Sequence, residues 1–323
     1  MKRFIYLLFA LTTVSCQRNE FSPLDSEIAT NKAMKLQATG AQANPSGNDW
    51  MQYLANDRSL SSITIPGTHD AGARFEPVYG TAKTQNLTIA EQLNAGVRFL
   101  DIRCRFFENS FTIHHGAIYQ NMNFDDVLVA CRTFLEANPS ETIVMSVKEE
   151  HTPSGNTMTY EERFLKYTQD YAGLFRLGNT IPTLGEARGK IVLLRRFGTT
   201  QPIGINAANG WQDDTSFTIN NPESTLKVQD AYQVSNNNTK WNAISGLLNE
   251  SKNSAANANV LYLNFSSGYQ KTLWVIPNIP AVSNDINPRL MNYFGQQPSG
   301  RFGIIITDFI HSDLSNRIFK TNF

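Results

Sequence analysis

The sequence predicts an α/β fold, a single distorted (β/α)8 TIM-like barrel. Three observations carry that reading. Eight short apolar runs alternate with amphipathic or polar stretches beyond residue 50. Most of the runs are rich in Val, Ile, Leu and Phe, as strands buried on both faces are. Seven of the eight end in charged or imidazole side chains at the same, C-terminal, end, which in this fold is the face that carries chemistry.

The first run, Ser62–Pro66, leads through Gly67 and Thr68 to His69 and Asp70. Thr88–Ala95 reads as a helix, and Val97–Arg103 follows as a strand that carries Asp101 and Arg103. Phe111–His114 is the third strand candidate, with His115 at its end. On a strand His114 and His115 point to opposite faces, so one of them enters a site. Phe124–Ala137 is an amphipathic helix with Asn123 as cap, Asp125 and Asp126 in its first turn, and Asn138-Pro139 at its end. Thr142–Lys148 is a strand ending in Lys148, with Glu149 and Glu150 starting a solvated loop. Tyr160–Tyr171 is a helix. Ile191–Arg196 ends in Arg196. Leu226–Val234, which alternates with polar residues, carries Asp230. Val260–Phe265 and Gly303–Phe309 complete the set, the last with Asp308. After residue 200 the stretches between strands look loop-rich. A doubly wound sheet is the other α/β option, but no Gly-x-Gly-x-x-Gly turn follows the first strand.

The 323 residues are 41% hydrophobic. Length alone would allow about two domains, but a (β/α) barrel holds roughly 250 residues or more in one. Net charge is zero, which gives no reason to expect a nucleic-acid partner.

Residues 1–15 read as a signal peptide. Lys2 and Arg3 precede the apolar stretch Phe4–Val14, which is too short to span a bilayer. Thr13-Val14-Ser15-Cys16 fits a lipoprotein box with Cys16 as the lipidated residue. Ordinary secretory cleavage after Ser15 is the alternative. Residues 16–47 are polar, without sustained apolar period, and read as a flexible tether. Residues 48–323 read as the barrel domain. Cys104 and Cys131 are either a disulfide pair or two buried thiols.

Two imidazoles, two carboxylates and a guanidinium at adjacent strand ends are the parts of a metal-free acid–base phosphodiesterase. Each residue alone has a plainer reading: His69 as a turn residue, Arg103, Lys148 and Arg196 as ion-pair partners, Asp308 as a helix cap. Their joint placement favours chemistry. His151 and His311 lack that context and read as solvated loop residues.

Pro66-Gly67-Thr68-His69-Asp70, Phe99-Leu100-Asp101-Ile102-Arg103, His114-His115-Gly116 and Ile304–Asp308 resemble the bacterial phosphatidylinositol-specific phospholipases C. Gly185–Leu194, Val228–Tyr232 and Leu261–Phe265 extend the resemblance, in order, over residues 48–323. It implies His69 as general base with Asp308 orienting it, His115 as general acid beside Asp70, Arg103 on the phosphate, and Asp101 at the reaction centre. Lys148, Arg196, Asp230 and Tyr232 would line an inositol pocket bordered by Trp211 and Asp213. The implied reaction makes diacylglycerol and inositol 1,2-cyclic phosphate from phosphatidylinositol or a glycosylphosphatidylinositol anchor, with the inositol 2-hydroxyl as nucleophile. No cofactor or metal is expected, because Arg103 would stand where metal-dependent relatives hold calcium.

The expected partner is a phosphatidylinositol-containing membrane surface, met by a monomeric enzyme on the outer membrane or cell surface, or secreted. Trp274, Val275 and Ile276, in the Pro-punctuated stretch Leu273–Pro280, are expected to contact lipid. The other reading of that stretch is a loop folded back with Trp274 in a core gap. Two other functions compete: a metal-dependent glycerophosphodiester phosphodiesterase, which would need several carboxylates around one ion, and an inactive lipid-binding lipoprotein, which would lack an imidazole.

Overall fold

The computed structural model describes residues 45–255, 259–297 and 299–323. The expected signal peptide, the expected lipidation site Cys16 and nearly all of the expected tether lie outside the described residues.

The parallel strands of the barrel are β1 (Ile65–Thr68), β2 (Phe99–Phe107), β5 (Ile143–Glu149), β6 (Phe175–Arg176), β7 (Ile191–Arg196), β8 (Ile205–Asn206), β10 (Thr225–Gln229), β11 (Val260–Phe265) and β14 (Ile304–Thr307). Across the sheet the order is β7-β5-β2-β1-β14-β11-β10. Short β6 and β8 share the outer edge of β7, and antiparallel β9 (Ser216–Asn220) follows β10. The first and last barrel strands, β1 and β14, pair from Ile65↔Ile304 to Thr68↔Thr307. Between β8 and β9 no ladder forms among the described residues. A single side-chain bond, Asn221 Nδ2 to the Asn206 carbonyl at 2.8 Å, spans the seam. The distortion of the barrel is therefore local to one side.

Alternation along each strand sorts side chains between two cores. Phe99, Val144, Val192, Leu194, Leu263, Ile304 and Ile306 fill the barrel interior. Leu100, Ile102, Met145, Val147, Leu193 and Ile305 face outward to the helices. The same parity carries Asp101 and Arg103, two and four residues after inward Phe99, to the inner face. Gly67 lacks a side chain because a Cβ there would sit 3.0 Å from the Phe99 ring.

Around the sheet run α1 (Ile89–Asn94), α2 (Phe124–Ala137), α3 (Tyr160–Asp170), the single turn α4 (Leu184–Ala187), α5 (Asn237–Asn253), α6 (Pro280–Gln296) and α7 (Ser312–Lys320). Thr88, Thr159 and Thr183 each make a capping box with a Glu three residues on, which satisfies helix-end N–H groups reciprocally. The N-terminal end of the barrel is plugged. Trp50 stacks on Phe319 at 5.3 Å and donates to the Gly96 carbonyl. Arg98, fully buried, pairs with Glu141 at 2.8 Å and donates to the carbonyls of Gly47 and Asn48.

Four expectations change. Phe111–His114 is not a parallel barrel strand. It lies in β3 (Ser110–His115), which turns back antiparallel on β2 and continues into β4 (Ile118–Asn123). Glu108 and Asn109 make the turn, both with positive φ, as a tight hairpin requires. Leu226–Val234 is strand only as far as Gln229. The loop-rich region after residue 200 contains two 17-residue helices, α5 and α6. Leu273–Pro280 is regular in part, because β12 (Gln270–Thr272) and β13 (Ile276–Asn278) pair as an isolated ribbon. Pro277 is tolerated there because the ribbon has open edges. Cys104 and Cys131 are separate buried thiols.

Candidate active site

A cavity of about 490 Å³ opens at the C-terminal ends of the barrel strands. His69, Arg103, His115, Lys148, Arg196, Trp211, Asp213, Asp230, Tyr232 and Asp308 all line it. These come from β1, β2, β3, β5, β7, β14, the end of β10 and the loop across the seam. Asp70 and Asp101 lie directly beneath, fully buried.

His69 leaves β1 as its last ladder bond is made, its N–H donating to the Thr307 carbonyl. Its Nδ1 donates to Asp308 Oδ1 at 2.8 Å, and the other Asp308 oxygen accepts from Gly268 N–H at 3.2 Å. Gln85 clamps the backbones that carry the pair. Its amide donates to the carbonyls of His69 and Thr307, and its oxygen accepts from Ile310 N–H. Asn287 of α6 donates to the Asp308 carbonyl. Asp70 and Phe309, the residues after His69 and Asp308, both hold positive φ. Non-glycine residues adopt that region at some cost, and such outliers concentrate at functional sites.

The His115 ring faces His69 edge-on, with centroids 6.4 Å apart. Its Nδ1 lies 2.6 Å from the Ala82 carbonyl and 3.8 Å from Asp70 Oδ2. A carbonyl can only accept, so Nδ1 donates and Nε2 is the nitrogen left for chemistry. Both histidines thus use Nδ1 on the protein. His114 points away, 5.6 Å from the ring of Tyr119.

Asp101 organises the floor. Its Oδ2 accepts from Arg103 Nε at 3.0 Å and from Asp70 N–H at 3.3 Å. Its Oδ1 accepts from Ser146 Oγ at 3.0 Å and Arg196 Nη1 at 3.4 Å. Burial works against the Asp101 charge, but Arg103 and Arg196 outweigh it and hold the carboxyl far below the usual range. Asp70 behaves oppositely. Burial raises its pKa despite His115 and Arg103, and neither of its oxygens has a hydrogen-bond partner. Burial alone would weaken the Arg103 cation; Asp101, Asp70 and Glu150 hold it firmly protonated.

The far wall is built from paired groups. Lys148 Nζ bonds Glu150 Oε2 at 2.7 Å, and Glu150 Oε1 accepts from Gly116 N–H at 3.1 Å. Burial disfavours the Glu150 charge, but Arg103 and Lys148 lower its pKa to about 2. Glu150 is therefore part of the site rather than the start of a solvated loop. The Arg196 guanidinium lies 3.6 Å from the Trp211 ring centre, and Trp211 Nε1 donates to Asp230 Oδ2 at 3.2 Å. Tyr232 Oη donates to Asp213 at 2.8 Å.

Glu150, Gln85 and Tyr269, which also lines the cavity, were not among the residues expected from sequence. Lys148-Glu150 spacing on one strand face was a usable signal for Glu150; no local pattern marks the other two. His151 is exposed, and His311 caps α7 by accepting from Leu314 N–H.

Trp274 and Val275 stand outside the cavity at the tip of the β12–β13 ribbon, 92% and 73% exposed, with Leu273 at 75% and Ile276 at 40%. Leu273 and Trp274 both have positive φ, the conformation of a turn that normally prefers Asn or Gly. Pro277 and Ile279, at the base of the ribbon, line the cavity. Beside it the loop Phe75–Thr81 exposes Phe75, Val78 and Tyr79, and the Gly80 carbonyl accepts from Ile279 N–H.

Among the described residues no group of three or more His, Cys, Asp or Glu side chains could hold a metal, and no helix is long and apolar enough to cross a membrane.

The chain is similar to several known proteins. The family model for the X domain of phosphatidylinositol-specific phospholipase C matches residues 64–197. The 1-phosphatidylinositol phosphodiesterase of Staphylococcus aureus (strain Newman) is 34% identical over 304 residues, covering 86% of this chain and 95% of that protein. The enzyme of the same name from Listeria monocytogenes is 29% identical over 301 residues, covering 90% and 88%. A solved structure of Staphylococcus aureus phosphatidylinositol-specific phospholipase C, carrying pentafluoro-Phe, superposes with a TM-score of 0.79 at 33% identity, over 86% of this chain and 98% of that one. The Listeria structure gives 0.66 at 26% identity, over 86% and 99%.

Proposed function

The chain belongs to the bacterial phosphatidylinositol-specific phospholipase C family, and from that premise we propose how its own residues cleave phosphatidylinositol. It is a phosphodiester-cleaving enzyme. The observation that carries the mechanism is the opposed pair of imidazoles, each tied down through Nδ1 with Nε2 free, flanking Arg103 in one cavity.

The inositol 2-hydroxyl is a neighbour of the 1-phosphate and attacks phosphorus from within the substrate. His69 Nε2 takes its proton, and Asp308 stabilises the imidazolium that forms. Arg103 donates to the non-bridging oxygens as their charge grows. His115 Nε2 gives its proton to the departing diacylglycerol oxygen. The P–O bond to the inositol 2-oxygen forms as the bond to glycerol breaks, which yields inositol 1,2-cyclic phosphate. Lys148, Glu150, Arg196, Asp230 and Tyr232 present donors and acceptors for the inositol hydroxyls. Trp211 and Asp213 border them. Asp101 fixes Arg103 and Arg196 from below, and Asp70 supports His115. The fixed guanidinium supplies the positive charge that a metal would otherwise supply. Withdrawing metal ions tests this, since activity should survive excess chelator.

Trp274, Val275, Leu273 and Ile276, together with Tyr79, are proposed to meet the lipid surface. Their support is a contiguous exposed apolar rim beside the cavity, with bulky residues in a turn conformation that packing does not require. Residues 1–15 are proposed as an export signal and Cys16 as the lipidated anchor, with residues 16–47 as tether before the catalytic barrel. The enzyme is proposed to act as a monomer without a cofactor. Radiolabelled palmitate should enter the wild type and not Cys16→Ser.

A further inference from the structure

The loop Phe75–Thr81 turns its apolar side chains outward and one carboxylate inward. Glu76 Oε2 accepts from Lys83 N–H at 3.0 Å and from Ala82 N–H at 3.3 Å. The amides of Gly80 and Thr81 also favour its charge. Burial opposes ionisation, yet these four N–H groups outweigh it and hold the carboxyl below its usual range. Two successive amides, Ala82 and Lys83, therefore bond the same carboxylate oxygen. Ala82 itself is 2% exposed, and its carbonyl is the 2.6 Å acceptor of His115 Nδ1.

The Ala82 carbonyl and the Lys83 N–H are the two poles of one planar peptide group. Glu76 binds one pole and His115 the other. Rotating that peptide away from His115 breaks the Glu76 bond at the same moment. A carboxylate on the N–H side also polarises the peptide, so its oxygen becomes a better acceptor for an imidazolium. The nearest alternative acceptor, Asp70 Oδ2, is 3.8 Å away.

We infer that Glu76 is a positioning residue for the general acid: through the Ala82–Lys83 peptide it fixes the direction in which His115 presents its proton. The inference rests on the role of His115 proposed above.

An acid matters only when the leaving group needs a proton, and that separates positioning from general support of the fold. Glu76→Gln, Glu76→Ala and His115→Ala are assayed on two water-soluble inositol 1-phosphodiesters. One has an alkyl leaving group and the other a p-nitrophenyl group, which departs as a stable anion. Both Glu76 variants should lose about tenfold in kcat on the alkyl ester, a fraction of the roughly 10²–10⁴ that a complete acid supplies. On the aryl ester they should lose less than about twofold, with KM little changed on either. Glu76→Gln keeps the side-chain shape, and melting temperatures of all variants are recorded beside the rates.

Equal losses on both esters would make Glu76 a structural residue only and overturn the inference, as would wild-type rates on the alkyl ester. If His115→Ala itself fails to distinguish the two esters, the acid assignment falls and the inference with it. If His115→Ala distinguishes them and the Glu76 variants do not, the acid assignment stands and Glu76 alone is rejected.

Discussion

His69 Nδ1 and Asp308 Oδ1 lie 2.8 Å apart although 239 positions separate the residues. The contact exists because β1 and β14 pair side by side over four residues, so the loops that leave them emerge together. The pairing of the first and last barrel strands is thus what brings the two side chains together. His69→Ala should lower kcat by about 10²–10⁴-fold with an unchanged circular-dichroism spectrum. Asp308→Asn should come close to that loss, because an amide can donate to Nδ1 and impose the wrong tautomer. Wild-type turnover in either variant would remove His69 from the chemistry.

Arg103 is held from below by Asp101 and neighboured by Asp70. Arg103→Lys should still lose about tenfold or more, since a point charge cannot reproduce the planar fork. Arg103→Asp should be nearly inactive. Chelation with EDTA should leave the wild type unaltered; inhibition reversed by added calcium would place a metal in the mechanism.

The internal nucleophile gives a sharper test. A 2-deoxy or 2-O-methyl inositol phospholipid binds the same pocket but lacks the attacking hydroxyl, so no product should appear. Phosphatidylcholine should also resist. Phosphorus NMR of the natural reaction should show the cyclic phosphate first. Rapid hydrolysis of the 2-O-methyl substrate would mean that water attacks directly.

Glu150 links the site to pH. Its folded-state pKa, about 2, lies below the ordinary carboxyl value of 4.5. A depressed pKa means that the charged form stabilises the fold. That contribution is complete above about pH 4.5 and is lost as pH falls toward 2, with an upper size of about 3 kcal/mol. Glu150→Gln should therefore flatten the fall in melting temperature across that window and leave the protein less stable at pH 7. Parallel melting-temperature curves for wild type and variant would contradict it.

Much of the fold was legible because it rests on local pattern. Ile191–Arg196 and Val260–Phe265 are strands over the expected residues, and Phe124–Ala137 is a helix over the expected fourteen. The charged strand ends also placed Asp101 and Arg103 with the other site residues at one end of the barrel. The mistaken strand had a readable warning. Only seven residues separate Arg103 from Phe111, too few for the dozen or more of a parallel crossover. The hairpin is the reason His115 reaches the cavity at all. The helices α5 and α6 were hidden for a different reason. Asn237–Asn253 is polar with weak periodicity, and Pro288 interrupts the pattern of Pro280–Gln296, yet packing against the barrel sustains both. Gln85 and Glu76 act on backbone groups brought to them by the fold, so no spacing in the sequence announces them.

Trp274 is the residue on which the proposed contact with lipid is best tested. At 92% exposure it fills no gap in the core, so the folded-back reading of its loop is excluded. Leaving such a ring in water forfeits roughly 1.5–3 kcal/mol of potential burial, and its positive φ adds backbone strain. Leu273 shares both features. The chain in water gains nothing from that tip, whereas a lipid interface would bury it, the indole N–H remaining among headgroups. Trp274→Ala should weaken vesicle binding by about tenfold, in line with the loss of one such burial. Activity on phosphatidylinositol vesicles should fall in parallel. Turnover of a soluble inositol phosphodiester should be unaffected, because the tip lies outside the cavity, and the melting temperature should hold or rise. A loss on the soluble substrate as large as on vesicles would tie Trp274 to the active site instead, and undiminished vesicle binding would leave the rim without a role in docking.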